Sequence, residues 1–326
     1  MTPGLARMVC ACCLAAVLAA CDGRLPARPT SGGQPYSVLI VTADDTTRRI
    51  LKEALTQSVE GLPANENAFD VSVAKAGTLN EATRYARCVI TVSTAAADGG
   101  AAPAIRYGRD VYARPQLVVS VSTPDARRLA ANAKGLHTAL ARLINRFEAE
   151  CAIGQLRRRR NTEAEKAAKD ATGASMLIPA ELTYSRRGKD FIWLTDNAAG
   201  GARSVCVYTY PGTDTRPARV IAMRDSIMKA NLPGTAPGAH MATETGAAIY
   251  HTTLTDSGGR RRTEVRGLWR MEGGAMGGPF VCHAAADSAR GRTVVAEGFV
   301  FAPGKRKRNM MRQLEAALTT LRLNRQ

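Results

Sequence analysis

Cys21 is the side chain of this sequence to which a definite chemistry can be assigned. It follows Leu18-Ala19-Ala20 at the end of an apolar run, residues 8–20, with Arg7 ahead of that run. A positive residue, an apolar stretch of about 7–15 residues and small residues at its end make a secretory signal peptide. Leu-Ala-Ala-Cys has the form of a lipobox, whose cysteine thiol accepts a diacylglycerol. The sequence therefore predicts a signal peptide over residues 1–20 and lipidation of Cys21.

The predicted lipid would hold the mature chain at a membrane. Stable anchoring takes about two hydrophobic signals, and bacterial lipoproteins supply two or three acyl chains such as palmitate. We expect the protein to be located in the cell envelope, on the periplasmic side of the outer membrane rather than at the inner membrane. A spanning helix would need about 20 apolar residues, more than this run has. An ordinary secretory peptide is the alternative, because Cys10, Cys12 and Cys13 show that cysteine recurs in the run.

The histidines carry no pattern of a metal site or of an activated nucleophile. Their spacing is neither HxH nor HExxH in His137, His240, His251 and His283. Cys282 precedes His283, but adjacent residues of a strand point to opposite faces, so we do not expect them to form a dyad. Phosphate loops and nucleophile elbows do not occur either. We therefore predict no metal and no cofactor.

Carboxylates offer the one enzymatic hypothesis. Acid and base catalysis on an envelope glycan or lipid needs two carboxyl groups about 5–10 Å apart in one cleft. Spacing along the chain does not place such groups. The candidates are Asp190, Glu264, Glu272 and Glu297.

A glycine-rich segment at residues 273–279 separates two apolar runs. Glycine serves where the backbone needs positive φ or a close approach. We expect a tight hairpin or a β-bulge between Trp269 and Phe280, with an anion-binding nest of N–H groups as the alternative.

A basic segment, Lys-Arg-Lys-Arg at residues 305–308, begins the last predicted helix. Cations at a helix N-terminus oppose the helix dipole by about 0.3–1 kcal/mol each when exposed. This unfavourable choice suggests contact with an anionic lipid or glycan phosphate, and a solvated helix end is the alternative. The two segments suggest one candidate binding surface, which contains Trp269, Gly277, Gly278, Arg308, Asn309 and Arg312.

The composition is strongly basic, with a formal net charge of +17 and only 5% aromatic residues. Such an excess favours anionic partners. The arginines are scattered, however, and not interleaved with aromatic rings as a stacking platform for nucleic acid would need. We therefore do not expect nucleic acid as a partner. The expected partners are an envelope protein or an anionic glycan or lipid.

The cysteines that follow Cys21 are far apart in the chain, which excludes CxxC signatures. Export permits disulfides, and four cysteines allow three connectivities. Buried free thiols are the favoured alternative. The four are Cys88, Cys151, Cys206 and Cys282.

Two predicted domains must position these residues. A tether rich in Pro, Gly, Arg and Ser spans residues 21–35 and is expected to be flexible. Residues 36–173 alternate strands with helices, which indicates an α/β layer, and end in a long helix that stops near Gly173. Residues 174–326 predict an α+β layer, a mainly antiparallel sheet with helices on one face.

Several short motifs together resemble a family of Bacteroidota lipoproteins of unknown function. They cover residues 107–111, 114–119, 188–194, 224–231, 268–271, 276–281, 297–303 and 307–315. The resemblance extends over nearly the whole mature chain and implies an envelope lipoprotein, and no catalytic residue carries over from it. We therefore expect a lipid-anchored binding or assembly module, with the carboxylate enzyme as the alternative.

Overall fold

The computed structural model describes residues 28–75, 79–93, 103–256 and 259–324. The predicted signal peptide and the predicted lipidation site Cys21 lie outside the described residues. Among the helices of the described part, none is long and apolar enough to cross a membrane.

The described part of the predicted tether, residues 28–35, is held against the fold. Arg114 N donates to Pro29 O at 2.8 Å, and Gly32 N donates to Tyr85 O at 2.8 Å. The backbone groups of these residues of the predicted tether therefore pair with later loops of the fold.

A five-stranded sheet forms the first layer. Its order is β2-β1-β3-β5-β4, and every pair is parallel except the antiparallel β4–β5 hairpin. The strands are β1 Ser37–Val41, β2 Asp70–Ala74, β3 Cys88–Ser93, β4 Ala104–Arg109 and β5 Leu117–Ser122.

Three helices cover one face of this sheet: α1 Asp45–Leu55, α2 Ala126–Ala131 and α3 Ala133–Arg158. The Asp44 carboxylate begins α1 by accepting the backbone N–H of Thr47 at 2.6 Å. Helix α1 lies in the connection between the parallel strands β1 and β2, which must cross a face of the sheet.

The predicted long helix is two helices. Helix α3 ends at Arg158, and helix α4 Thr162–Thr172 begins when the Asn161 side chain accepts the N–H of Ala164 at 3.0 Å. Between them the backbone leaves the helix because Asn161 N donates to Ile178 O at 2.8 Å. Because α4 packs on the second sheet, the packing favours a division between the layers at residues 159–161 over the predicted boundary at residue 173.

An eight-stranded antiparallel sheet forms the second layer, in the order β10-β12-β13-β14-β9-β8-β7, with β11 also paired to β12. A separate small ladder joins β6 Ala174–Ser175 to the C-terminal β15 Arg322–Leu323. The strands of the large sheet are β7 Tyr184–Gly188, β8 Phe191–Thr195, β9 Ala202–Pro211, β10 His240–Thr243, β11 Tyr250–Thr255, β12 Arg261–Glu272, β13 Gly277–Asp287 and β14 Arg292–Phe301.

Helices cover both faces of this sheet. Helix α4 and helix α6 Arg308–Leu318 pack on one face, and helix α5 Pro217–Asn231 packs on the other. The predicted fold class, an α/β layer followed by a mainly antiparallel layer with helices, is confirmed. The helices lie on two faces rather than the predicted one, because the central strands are buried on both sides.

Candidate functional site

Helix α5 covers only part of its face of the second sheet. It ends at Asn231, and residues 232–235 beyond it border a cavity of about 540 Å³. Small-molecule sites have volumes of about 300–1,000 Å³ and mainly apolar walls. The large apolar side chains that line this cavity are Trp193, Leu232, Met241, Trp269, Met271, Met276, Phe299 and Phe301.

Short side chains on strand β9 create the hollow. Ala202 pairs in register with Phe301 of β14, and Ser204 pairs with Phe299. On the other side Ser204 is the register partner of Thr195 of β8. Because side chains at paired positions share a face, the small side chains of Ala202 and Ser204 lie beside the rings of Phe301 and Phe299 and leave space above the strand.

The glycine-rich segment forms a wall of the cavity. It is the turn of the β12–β13 hairpin, where Gly273 has φ of 74° and Met271 N donates to Met276 O at 2.7 Å. A Cβ on Gly278 would lie 2.0 Å from Val300 O, so this position excludes a side chain. The prediction of a hairpin is confirmed, and its glycines allow close approach of the backbones.

Polar groups are few around the cavity. Arg186, Thr195, Asn197 and Ser204 belong to its lining, and Arg186 is exposed. The indole N–H of Trp193 is buried and has no acceptor within the part of the chain that the structure describes. A buried donor without an acceptor costs about 1–3 kcal/mol. The cavity therefore offers an apolar body and one cation, and the buried indole nitrogen of Trp193 is not exposed to it.

The six residues of the predicted binding surface separate into two groups. Trp269 lines the cavity and Gly278 is its register partner, and the Trp269 indole donates to Val300 O at 3.3 Å. Trp269 is buried, which the prediction of an exposed surface did not allow for. Gly277 is the register partner of Arg270 at the start of β13.

The second group, Arg308, Asn309 and Arg312, belongs to the junction between the layers. The backbone N–H groups of Lys307 and Arg308 donate to the Glu66 carboxylate at 2.7 and 3.1 Å. The Arg308 guanidinium donates to Asn67 O at 2.6 Å and pairs with the Asp70 carboxylate. Its Nε also donates to the Asn309 side chain at 3.0 Å.

Arg312 completes this junction. Its guanidinium donates to the Asn145 side chain of α3 and lies 4.4 Å from the centre of the Tyr36 ring. The prediction that these cations form a free surface for anionic lipid or glycan is wrong for Arg308 and Arg312, because groups of the first layer occupy them. Two carboxylates of the first layer offset part of the positive charge at the start of α6, which opposes the cost of cations at a helix N-terminus.

The candidate catalytic carboxylates do not meet at the cavity. Glu297 is fully buried. Val265 and Glu297 are both register partners of Cys282, so their side chains share one face of the sheet. Glu264 is the neighbour of Val265 on β12 and therefore points to the opposite face. Glu272 is eight residues further along β12, about 27 Å from Glu264. Asp190 lies in the exposed β7–β8 turn with φ of 53°. None of the four lines the cavity.

The surroundings of the two buried carboxylates also differ. Burial raises the pKa of Glu297 and outweighs the opposing effect of Arg224, which contacts its Oε1 at 2.8 and 3.0 Å. Burial acts the same way on Glu264, but the His283 hydrogen bond and the Arg266 charge outweigh it and lower the pKa to about 2. Glu264 is therefore held ionised in an ion-pair network, which does not suit a proton donor.

Cys282 and His283 point to opposite faces of strand β13, as predicted. The His283 Nε2 atom contacts Glu264 Oε2 at 3.1 Å on the α6 side. Cys282 lies on the α5 side, where burial raises the pKa of its thiol. All four cysteines of the described chain are free thiols. Within the described ranges, no group of three His, Cys, Asp or Glu side chains could hold a metal.

Two important features escaped the prediction from sequence. Trp193 lies in one of the recognised motifs, but nothing in the sequence shows that its indole borders a cavity. Arg224 is fully buried over the Phe280 ring at 4.0 Å and binds Glu297, Thr243 and Asp225. A lone arginine on a helix gives no signal of burial, because its partners lie on distant strands.

Two domain families match this chain. Residues 31–157 match a model described as a domain of unknown function (DUF8532), and residues 161–320 match another described as a domain of unknown function (DUF4837). The two matches meet at the break between α3 and α4. No curated protein matches the sequence.

Solved structures show only a remote likeness. The Ran-binding protein Mog1p of Saccharomyces cerevisiae aligns with 46% of this chain and 89% of its own, at 9% identity and a TM-score of 0.31. A point mutant of protein Mog1 aligns with 46% of this chain and 90% of its own, at 9% identity and a TM-score of 0.29.

Proposed function

We propose that this protein is a lipid-anchored binding module of the cell envelope that holds an amphiphile in the cavity beside α5. The observation that carries the proposal is the 540 Å³ apolar cavity, which Trp193, Trp269 and Phe301 line. Aromatic and thioether side chains suit a flexible apolar chain, since they provide large and adaptable contact surfaces.

The polar groups define the other end of the ligand. The exposed guanidinium of Arg186 borders the mouth and would attract a carboxylate or a phosphate. A molecule with one long apolar part and one anionic end, such as a fatty acid or a lipid fragment, matches the apolar walls and this cation.

The anchor is a separate part of the proposal. It rests on the sequence Leu18-Ala19-Ala20-Cys21 behind an apolar run and on the resemblance to envelope lipoproteins. A chain tethered by acyl groups would encounter membrane-derived amphiphiles at high local concentration, so the location and the ligand class agree.

One preparation tests both parts. The full-length chain is expressed in a bacterial host, purified from membranes in detergent, and its organic extract is analysed by mass spectrometry. We expect acyl groups on the N-terminal peptide beginning at Cys21 and a co-purifying amphiphile. A Cys21→Ser variant should lose the first and keep the second. An unmodified Cys21 would overturn the anchor, and an extract without amphiphile would count against the ligand.

A further inference from the structure

The β4–β5 loop, residues 110–116, presents exposed apolar side chains next to the N-terminal end of the described chain. Five large hydrophobic side chains of the described residues are exposed, and Tyr107, Val111 and Tyr112 are three of them. Single exposed hydrophobic residues need no explanation, but such a concentration within six residues indicates an interaction surface.

The loop is rigid although it is exposed. The buried Gln116 side chain accepts the N–H groups of Tyr112 and Ala113 at 2.8 and 3.2 Å. Its amide donates to Arg84 O at 2.6 Å, and its backbone N–H donates to the Asp110 carboxylate at 2.9 Å. The exposed side chains are therefore held outward by a preformed loop and lose little conformational freedom on binding.

The charge around the loop is positive. Arg106 and Arg114 are exposed, and Arg114 pairs only at 3.4 Å with Asp110. Arg109 and Arg146 share the single carboxylate of Glu150. Arg109, Arg114 and Arg146 thus face two carboxylates, which leaves a positive surface around the tyrosines. Arg106 lies on the opposite face of β4 from Tyr107. Tyrosine beside arginine is the combination found where a protein meets the headgroups of an anionic membrane.

The chain itself brings this loop to a membrane. Pro29 and Ser31 pair with Arg114: Arg114 N donates to Pro29 O at 2.8 Å, and Ser31 N donates to Arg114 O at 3.3 Å. Pro29 is the eighth residue after Cys21, so a fully extended backbone separates them by at most about 29 Å. A lipid on Cys21 would therefore keep the loop within reach of the bilayer surface.

We propose that the β4–β5 loop inserts Val111 and Tyr112 into the headgroup region of an anionic bilayer and orients the anchored protein on it. This inference rests on the anchoring part of the proposed function and is independent of the cavity. Anchor and loop would act as two linked contacts, and the second contact gains from the high effective concentration that the first provides.

A tryptophan scan on vesicles tests this orientation. The chain from Asp22 to Gln326, which contains every described residue, carries a hexahistidine tag in place of Cys21. It is bound to vesicles of phosphatidylglycerol, brominated phosphatidylcholine and a nickel-chelating lipid. Bromine quenches only indoles that reach the bilayer. The artificial anchor keeps the result independent of lipidation at Cys21.

Two variants are compared with the wild type, which corrects for Trp193 and Trp269. We expect Tyr112→Trp to lose at least half of its added fluorescence, and the matched Tyr184→Trp, an exposed tyrosine of the second layer, to lose none. Replacing phosphatidylglycerol by neutral lipid should reduce the quenching at least twofold. The proposal would be overturned if both variants were quenched equally, if Tyr112→Trp were not quenched, or if lipid charge had no effect. In the case of no quenching, the exposed side chains of the loop would be assigned to contact with a protein partner instead.

Discussion

The Glu66 carboxylate caps helix α6 from the other layer, and its Oε2 accepts the backbone N–H of Arg308 at 3.1 Å. Its Oε1 accepts the N–H of Lys307 at 2.7 Å. An N-terminal cap normally comes from the residue before the helix, but here it comes from a residue 242 positions away in the chain. The start of α6 therefore depends on the docking of the two layers.

Removing this cap should destabilise the whole chain. Glu66→Ala leaves two N–H groups of α6 without acceptors, and we expect a loss of about 1–3 kcal/mol in the free energy of unfolding. Urea unfolding followed by circular dichroism measures it. The control is Glu53→Ala, an exposed glutamate of α1, with an expected effect within about 0.5 kcal/mol. Equal effects of the two variants would show that the cap contributes nothing.

The buried pair of Arg224 and Glu297 should be strongly coupled. Either single variant, Arg224→Met or Glu297→Gln, leaves the other side chain buried without its partner, which costs about 3–5 kcal/mol. In the double variant neither group remains charged, so we expect its loss to be clearly smaller than the sum of the two. A double-mutant cycle from urea midpoints measures the coupling. Additive losses would contradict the pairing.

The Glu264 network should make stability depend on acid. The pKa of Glu264 lies at about 2 in the folded chain against 4.5 as its ordinary value, so the folded state binds its proton less readily. This stabilisation, about 3 kcal/mol, is complete above pH 4.5 and is lost as the pH falls towards 2.

Glu264→Gln should therefore be less stable than the wild type at neutral pH, and the gap should close between pH 4.5 and pH 2. Unfolding by urea at a series of pH values measures the gap. The control is Glu272→Gln, whose exposed pair with Arg270 contributes at most about 1 kcal/mol. A gap that does not change with pH would refute the electrostatic account of this network.

Thiol labelling should distinguish the half-buried cysteine from the buried ones. Burial raises the thiol pKa of Cys88, Cys151, Cys206 and Cys282. The measurement uses the chain from Asp22 without reductant. We expect a thiol reagent to modify only Cys151 in the folded chain, slowly, and to modify all four cysteines in denaturant.

The same measurement tests for a disulfide. Cys206 and Cys282 flank Glu297 on separate strands, about 10 Å apart. Fewer than four thiols in denaturant would reveal a disulfide.

Local patterns predicted the elements with the clearest periodicity. The alternation of strands and helices over residues 36–173 led to the α/β layer, and the hairpin at Gly273 followed from glycine chemistry. These features depend on residues close in sequence, so the signal for them lies within a short window.

Features that depend on distant partners were missed. High helix propensity runs through residues 159–161, and only the hydrogen bond from Asn161 N to Ile178 O ends the helix there. Trp269 was expected on a surface and lies in the interior beside Val300. The basic start of α6 suggested an anionic ligand, and the acidic groups that occupy it, Glu66 and Asp70, belong to the other layer. No local pattern carries this information.

The most direct test of the central claim is a binding titration of the cavity. An anilinonaphthalene sulfonate dye, which has an aromatic body and one anionic group, is added to the chain from Asp22, and a long-chain fatty acid then competes with it. Ala202→Phe fills the hollow over β9, and Ala218→Phe places the same side chain on the exposed side of α5 as a matched control. Urea midpoints confirm that both variants fold.

We predict saturable dye binding that the fatty acid displaces, a dissociation constant raised at least about tenfold by Ala202→Phe, and no change in Ala218→Phe. A folded Ala202→Phe that binds dye and fatty acid like the wild type would contradict the assignment of the cavity as the binding site.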